Sequence, residues 1–239
     1  MCGDQKLIDH VCRNIKNMIF EFQNDPFMYL YEAGVQADLY FRLARSWPLD
    51  QNVTIKGWEV KEKDPLDTRS ATGTMSPFQC QYPHPRGKTG LFDIAFIDTE
   101  TVKNVRNGNT EANTYDLPVL VAIEIKLCKP TDEITNEYIK DIKKLMDYPE
   151  EKYKNQKHEV GFTGIAVCLC QRNDEFDEIS TKTNDTNING RSLKFIIQSL
   201  NKLQLQRGTV YSILVPPGKG KDIWIDLYPN QSVSQEPKP

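Results

Sequence analysis

The sequence has 239 residues, enough for one sizeable hydrophobic core or at most two small domains. Its apolar content of 38% and charged content of 26% are ordinary for a soluble globular protein, and no apolar run is long enough to span a bilayer. The net charge of −3 argues against a strongly basic coat for non-specific nucleic-acid binding. The first six residues lack the layout of a signal peptide, so we predict a cytoplasmic protein without membrane contact.

Two amphipathic helices are predicted at the start of the chain. Apolar residues recur at helical spacing from Asp4 to Phe22, and a second helix is predicted to run to about Arg45. Asp25 as the N-cap and Pro26 as the first helical residue predict where this second helix begins. Its apolar stripe comprises Met28, Tyr31, Val35, Leu39 and Leu43. Glu32 lies on the same side of the helix as this stripe, so it either points at the sheet on which the stripe packs or lies one step off the stripe and reaches solvent.

Three strands and two polar segments are predicted next. Val53–Val60 is the first predicted strand. The runs Leu91–Ile97 and Val119–Leu127 are apolar on both faces, which predicts central strands covered on each side. The segments Glu62–Lys88 and Thr99–Asp116 are polar and are predicted to be loops.

The second half of the chain is predicted to alternate helices and strands and to end in a hairpin. The predicted elements are a helix over Asp132–Tyr148, a strand over Gly161–Cys170, an exposed loop over Asn173–Gly190, a helix over Arg191–Gln206, and strands over Thr209–Val215 and Asp222–Tyr228. The tail from Pro229 is predicted to be disordered. We therefore predict a single domain over residues 1–228, with a core at about 25–170 and a C-terminal extension of a helix and a β-hairpin over 171–228.

Three ionisable residues interrupt the two central strands. Asp93 lies in the first of these strands, and Glu124 and Lys126 lie in the second. Because side chains alternate along a strand, Glu124 and Lys126 point to the same face. Buried charges are costly unless they pair or bind a metal. The pattern therefore predicts a pocket for a divalent cation between neighbouring strands.

Asp93 followed by Glu124-Ile125-Lys126 resembles the signature of the PD-(D/E)XK nuclease superfamily, which has a restriction-endonuclease-like fold. The order helix, strand, strand, strand, helix, strand from Asp25 to Cys170 is the common core of that family. Phe92 stands where the family often has proline, and the long gap between the two halves of the signature implies an inserted loop. The resemblance implies an α/β fold with a mixed central sheet flanked by helices.

The resemblance also implies an activity, the Mg²⁺-dependent hydrolysis of phosphodiester bonds in DNA, with RNA as an open alternative. Asp93, Glu124, the backbone carbonyl of Ile125 and Glu32 are expected to bind Mg²⁺, for which Mn²⁺ substitutes. Lys126 is expected to orient or deprotonate the attacking water, or to neutralise the pentavalent phosphate. The expected catalytic residues are thus the two strand acids, Lys126 and Glu32.

Four basic residues are candidates for contacts with nucleic-acid phosphates. Arg86 and Lys88 precede the Asp93 strand, while Lys143 and Lys144 belong to the helix that follows the Glu124 strand. Such a lysine cluster is also typical of a solvated helix face. Asp141 borders the apolar stripe of that helix, and it either bonds towards the site or faces solvent.

A second class of function stays open, because a protein can keep the nuclease-like fold without hydrolysing phosphodiester bonds. The protein would then be a catalytically inactive nuclease-fold module that binds nucleic acid or another protein. Many nuclease-like relatives act as dimers, so a homodimer is also an expectation of the resemblance. Cys168 and Cys170 lie on one face of an apolar strand and are interpreted as small buried hydrophobes. Cys80 and His84 have residue types suited to half of a zinc site, but no other half is visible.

Overall fold

The structure is a computed structural model that describes residues 2–47, 53–55, 73–75, 77–83, 91–98, 119–128, 133–153, 161–184, 186–188 and 190–229. The helices are α1 (Cys2–Asn24), α2 (Glu32–Ser46), α3 (Glu133–Tyr153) and α4 (Asn173–Thr183), with a 3₁₀ turn at Leu200–Lys202. The strands are β1 (Val53–Ile55), β2 (Gly73–Met75), β3 (Phe78–Pro83), β4 (Leu91–Ile97), β5 (Val119–Leu127), β6 (Thr163–Leu169), β7 (Asn187–Ile188), β8 (Arg191–Ser192), β9 (Ile196–Gln198), β10 (Thr209–Val215) and β11 (Ile223–Pro229). Among these residues, no helix has the length and apolar character that a membrane span requires.

A mixed seven-stranded sheet forms the centre, in the order β3-β4-β5-β6-β10-β11-β9. Strands β3, β4 and β5 are antiparallel neighbours, β5, β6 and β10 run parallel, and β11 and β9 are again antiparallel. The pairs β1-β2 and β7-β8 form two small separate sheets. The predicted class, α/β with a mixed central sheet flanked by helices, is confirmed at this level.

Buried apolar side chains cover both faces of the sheet. On one face, α1 and α2 pack against side chains such as Ile94 and Ile123. On the other face, α3 and α4 pack against side chains such as Ala95 and Ala122. The central position predicted for the Asp93 and Glu124 strands is therefore confirmed, and it explains why polar side chains on them are shielded from water.

Gly164 allows α3 to lie close to the sheet. A Cβ atom at this position in β6 would lie 3.0 Å from the Cβ of Leu145 and 3.2 Å from a methyl group of Val210. Both distances are shorter than an ordinary contact between carbon atoms. The absent side chain thus fixes the separation between β6 and the helix that carries Asp141 and Lys144.

The strand that precedes β4 differs from the prediction. Val53–Ile55 is a strand, but it pairs with β2 outside the large sheet. Its place is taken by β3, which lies within the segment predicted to be the loop Glu62–Lys88. Phe78 is buried whereas Cys80 and Gln81 are exposed, so this edge strand lacks the apolar pattern of the central strands. Strand β2 also lies within that predicted loop, whereas residues 56–60 of the predicted first strand and residues 62–72, 76, 84–88 and 99–116 of the two predicted loops lie outside the described residues.

Helix α2 begins at Glu32, not at the predicted Pro26. The amide of Gln171 donates hydrogen bonds to the carbonyl oxygens of Pro26 (3.0 Å) and Tyr29 (2.8 Å), so neither oxygen serves an earlier helical turn. Tyr29 is buried and its hydroxyl donates to Asp38, which holds the segment before the helix. Met28 and Tyr31 are consequently exposed rather than part of the buried stripe. The hydrogen bonds from Gln171 therefore outweigh the Asp25-Pro26 pattern that predicts a helix start.

The exposed loop predicted over Asn173–Gly190 is wrong for its first part, which forms α4. The buried side of this helix includes Phe176, Ile179, Ser180 and Thr183, which recur at helical spacing. Two of these positions carry hydroxyl groups, so the stripe is poorly visible in the sequence. The hydroxyl of Thr183 is satisfied by the carbonyl oxygen of Ile179 at 2.6 Å, which makes its burial tolerable.

The helix predicted over Arg191–Gln206 is also wrong. The segment contains β8, β9 and the 3₁₀ turn instead. Leu193 packs on the α3 face of the sheet and Leu203 on the α1 face, while Ile196 and Ile197 are exposed in the edge strand β9. The apolar residues of this segment therefore pack on different faces of the sheet or lie exposed at its edge. Their helical spacing in the sequence is coincidental.

The remaining elements agree with the sequence. The first helix, the helix after the Glu124 strand and strand β6 are present, with boundaries shifted by a few residues. Strands β10 and β11 form the predicted antiparallel pair. Pro229 ends β11, and the rest of the predicted disordered tail, residues 230–239, lies outside the described residues.

Candidate active site

Seven ionisable side chains converge where β5 ends, where β4 begins and where α2 starts. They are Glu32 of α2, Asp93 of β4, Glu124 and Lys126 of β5, and Glu137, Asp141 and Lys144 of α3. The four predicted catalytic residues are among them. Because α2 and α3 cover opposite faces of the sheet, the group is assembled from three layers at one end of the strands.

Asp93 is held by the neighbouring strand. Its Oδ2 atom accepts a hydrogen bond from the backbone N–H of Ile125 at 2.7 Å, and the side chain is buried. Burial raises the pKa of Asp93 to about 6, although the Ile125 N–H opposes this shift. The negative charge of Glu32 raises that pKa further. Ile125 thus enters the site through its N–H, and its carbonyl oxygen as a metal ligand stays a prediction.

Gln81 contacts Asp93 from β3, and the sequence did not reveal it. Its amide nitrogen lies 3.4 Å from Asp93 Oδ1 and 3.4 Å from Gln36 Oε1. Gln81 has a φ of +52°, a left-handed conformation that is unfavourable for a residue with a side chain. Such conformations persist where the surroundings impose them, often at functional sites. A lone glutamine in an irregular edge strand gives no sequence signal for this role.

Glu124 is paired with Lys144 from α3. Lys144 Nζ lies 2.6 Å from Glu124 Oε1, 3.2 Å from the carbonyl oxygen of Leu91 and above the ring of Phe92. Only 3% of Glu124 is exposed, and burial raises its pKa to about 9 despite the nearby ammonium group. Lys144 does not lie on a solvated helix face, because its side chain extends over Phe92 to the sheet, and its contact with phosphate stays a prediction.

Lys126 lies among three carboxylates. Its Nζ is 3.3 Å from Asp141 Oδ2, 3.4 Å from Glu32 Oε1 and 4.0 Å from Glu137 Oε2. Burial lowers the pKa of Lys126, but the charges of Asp141 and Glu32 outweigh it and the pKa lies above its ordinary value. The side chain is therefore an ammonium ion at neutral pH.

Glu32 and Asp141 connect the two helices to the sheet. Glu32 is the first residue of α2, and its Oε2 accepts a hydrogen bond from the N–H of Leu127 at 3.5 Å. Asp141 lies between Lys126 and Lys144, the latter at 3.7 Å, and 14% of its side chain is exposed. Asp141 thus belongs to the site and does not face solvent, the alternative that the sequence left open.

The site carries more negative than positive groups. Among the described residues it contains five carboxyl groups and two lysines. Glu124 Oε1 and Asp141 Oδ2 are buried and accept no hydrogen bond of good geometry, so their contacts with the lysines are ion pairs only. Buried carboxylate oxygens that accept no hydrogen bond are favourable ligands for a hard cation.

Of the other predicted contact residues, the structure describes Lys143, which does not join this group. Lys143 is exposed on α3, so its contact with phosphate stays a prediction. Arg86 and Lys88 lie outside the described residues, as does His84, while Cys80 is exposed on β3.

Comparison with protein-family models, curated proteins and solved structures finds no match to this chain. The basis for inferring a function is therefore the chemistry of the site itself.

Proposed function

We propose that the protein is a metal-dependent nuclease that hydrolyses phosphodiester bonds in DNA. The observation that carries this proposal is the pair of buried acids, Asp93 and Glu124, whose pKa values are both raised at a site with surplus negative charge. A pair of buried carboxyl groups is unfavourable for stability alone, and perturbed acids of this kind cluster at functional sites.

The order of the elements supports a restriction-endonuclease-like core. Helix α2 and the separate β1-β2 pair are followed by β3, β4 and β5, which are antiparallel neighbours in the large sheet. Helix α3 comes next, and then β6, which is parallel to β5. Replacing the predicted first strand by β3 keeps the order helix, three strands, helix, strand. Asp93 and Glu124 occupy neighbouring central strands of this unit, as the resemblance in the sequence implies.

Three acids fit a hard divalent cation. Asp93, Glu124 and Glu32 would hold Mg²⁺ or Mn²⁺, which prefer oxygen ligands and keep several waters. When bound, such an ion supplies an activated water and stabilises the leaving oxygen of the phosphodiester. Gln81 and the N–H of Ile125 keep the Asp93 carboxylate oriented, and Lys144 does the same for Glu124.

Lys126 is best suited to stabilise charge on the phosphate. Its raised pKa keeps it protonated, so it is a poor base for removing a proton from water. A fixed ammonium ion in a partly buried site instead favours the additional negative charge of the transition state. Asp141 positions this ammonium ion from α3 at 3.3 Å. Of the roles expected for Lys126, neutralisation of the pentavalent phosphate is therefore the one we propose.

A rigid apolar loop next to Glu32 favours a substrate with unpaired bases. Phe27 and Leu30 are 63% and 74% exposed, although the loop itself is held by Gln171 and by the buried ring of Tyr29. Aromatic side chains such as Phe27 on a fixed backbone are surfaces on which bases stack regardless of sequence. The loop leads directly into Glu32, so a stacked strand would pass close to the carboxyl groups.

Incubation with Mg²⁺ or Mn²⁺ should therefore produce cleavage of single-stranded DNA, and chelation by EDTA should stop it. The assay compares single-stranded DNA, duplex DNA and RNA under the same conditions. The Asp93→Asn, Glu124→Gln double variant, purified in parallel, is the control for contaminating nucleases, and it should be inactive.

Two outcomes would contradict the proposal. One is the absence of cleavage on every substrate with either cation, and the other is equal cleavage by the wild type and the double variant. Retained binding of nucleic acid without cleavage would favour the alternative, a catalytically inactive module with a nuclease-like fold.

A further inference from the structure

Three buried thiols form a second cluster, separate from the carboxyl groups. Cys128 follows β5 directly, Cys168 lies in β6, and Cys170 follows β6. All three are 0% exposed, and their sulfur atoms lie within 4.8 Å of one another. Cys128 Sγ is 2.9 Å from Cys170 Sγ and 3.3 Å from Cys168 Sγ.

The backbone fixes these three residues in their places. The N–H of Cys128 donates to the carbonyl oxygen of Leu169 at 2.8 Å, and the N–H of Cys170 donates to that of Val215 at 3.0 Å. Both bonds continue the ladder of the parallel strands β5, β6 and β10. Because side chains alternate along each strand, the three sulfurs share the α3 face of the sheet.

Two of the sulfur–sulfur separations are shorter than an ordinary packing contact. Carbon atoms in contact lie about 3.5–4.0 Å apart, and sulfur is larger than carbon. They are also well above the length of a disulfide bond, which is about 2.05 Å. The interpretation of Cys168 and Cys170 as small buried side chains is confirmed by their burial in the core, and the short separations add that the three sulfurs converge on one point.

We propose that Cys128, Cys168 and Cys170 together bind one thiophilic metal ion, Zn²⁺ or Cu⁺. Thiolate sulfur selects these soft ions, whereas the carboxyl cluster suits hard ions such as Mg²⁺. Metal–sulfur bonds of about 2.3 Å place the sulfurs of one ion a little under 4 Å apart, so the three side chains need to separate by about 1 Å or less.

Metal binding would tie the ends of β5 and β6 together, two residues beyond Lys126. Because the cluster is fully buried, the ion enters during folding.

Expression in medium containing Co²⁺, a coloured substitute for Zn²⁺, tests the proposal without relying on catalysis. The purified, reduced protein is examined for the near-ultraviolet charge-transfer band of sulfur-bound cobalt, and its Zn, Cu and Co contents are measured. Alanine variants at Cys128 and Cys170 keep a small apolar side chain but remove a ligand. Cys12→Ala is the matched control, since Cys12 is buried on the other face of the sheet and donates to Leu203.

We expect one equivalent of soft metal per chain in the wild type, in Cys12→Ala and in Asp93→Asn, and its loss in Cys128→Ala and Cys170→Ala. A site that takes Zn²⁺ should also show the cobalt band in the first three proteins and lose it in the last two. Zinc in metal analysis with no copper identifies Zn²⁺, and the reverse identifies Cu⁺. A wild-type protein that takes up no cobalt, zinc or copper would contradict the proposal, whether or not the variants fold. A band that persists in Cys128→Ala would also overturn it, as would a Cys128–Cys170 disulfide in a protein that binds no metal after reduction.

The result is independent of the nuclease proposal. Loss of the sulfur band does not alter the Mg²⁺-dependent cleavage expected of the carboxyl cluster, and absence of cleavage leaves the metal content of the thiol cluster unchanged. Asp93→Asn separates the two sites directly, because it removes a carboxylate and leaves all three thiols in place.

Discussion

Replacement of Lys126 by alanine is expected to lower the single-turnover rate of DNA cleavage about 10²–10³-fold, the effect typical of losing one transition-state charge contact. The variant should still fold and bind divalent cations, because Asp93, Glu124 and Glu32 remain. Without added metal it should be less stable than the wild type, since three carboxylates lose their ammonium partner. Saturating Mg²⁺ should recover part of that stability, as ligands of the folded state do.

Lys140→Ala is the matched control, since Lys140 is exposed on α3, the helix that supplies Asp141. Its cleavage rate should equal that of the wild type. If Lys126→Ala cleaves DNA at the wild-type rate under single-turnover conditions, Lys126 has no part in the chemical step. A loss that appears only in substrate affinity would assign Lys126 to binding instead.

The Asp93→Asn variant is expected to be more stable than the wild type at pH 8 in EDTA. The pKa of Asp93 is about 6 in the folded protein but close to the ordinary value of about 3.9 when unfolded. The folded state therefore holds this proton more tightly, and stability falls as pH rises from about 4 to about 6. Asparagine removes that penalty, about 3 kcal/mol, and the melting temperature should rise by about 6–12 °C.

The pH dependence identifies the cause of this gain. At pH 4 Asp93 is protonated in the folded wild type and about half protonated in the unfolded state, so the difference between the variant and the wild type should become small. Asp177→Asn, at an exposed acid on α4, is the control and should show little change at either pH. An Asp93→Asn variant that melts below the wild type at pH 8 in EDTA would show that the ionised carboxylate stabilises the fold, which is the opposite of what its burial predicts.

The sequence predicted the parts of the site that lie in regular, strongly apolar elements. Strands β4 and β5 are apolar on both faces, so Asp93, Glu124 and Lys126 were conspicuous, and they come together with Glu32 as expected. Glu32 was predicted to reach the site from within the apolar stripe of a helix that begins at Pro26. In the structure α2 begins at Glu32, so the first residue of the helix lies at the end of β5.

The residues whose place the sequence left open or did not reveal depend on tertiary contacts. Asp141 and Lys144 look like ordinary acids and bases on a helix, and only the close approach of α3 at Gly164 brings them over the carboxyl groups. Gln81 lies in an edge strand with no clear periodicity. Helix α4 was missed because Ser180 and Thr183 fill buried positions that are usually apolar. In each case the deciding interaction joins distant parts of the chain.

Binding of Mn²⁺, measured by calorimetry at pH 7.5 with Mg²⁺ as competitor, tests most directly whether the carboxyl cluster is a site for divalent cations. The wild type and Cys128→Ala should bind Mn²⁺ alike, with affinity that increases with pH as protons leave Asp93 and Glu124. Asp93→Asn and Glu124→Gln should each bind at least about tenfold more weakly. Equal affinity in the wild type and both variants, or no binding to the wild type, would contradict a metal site at these carboxyl groups.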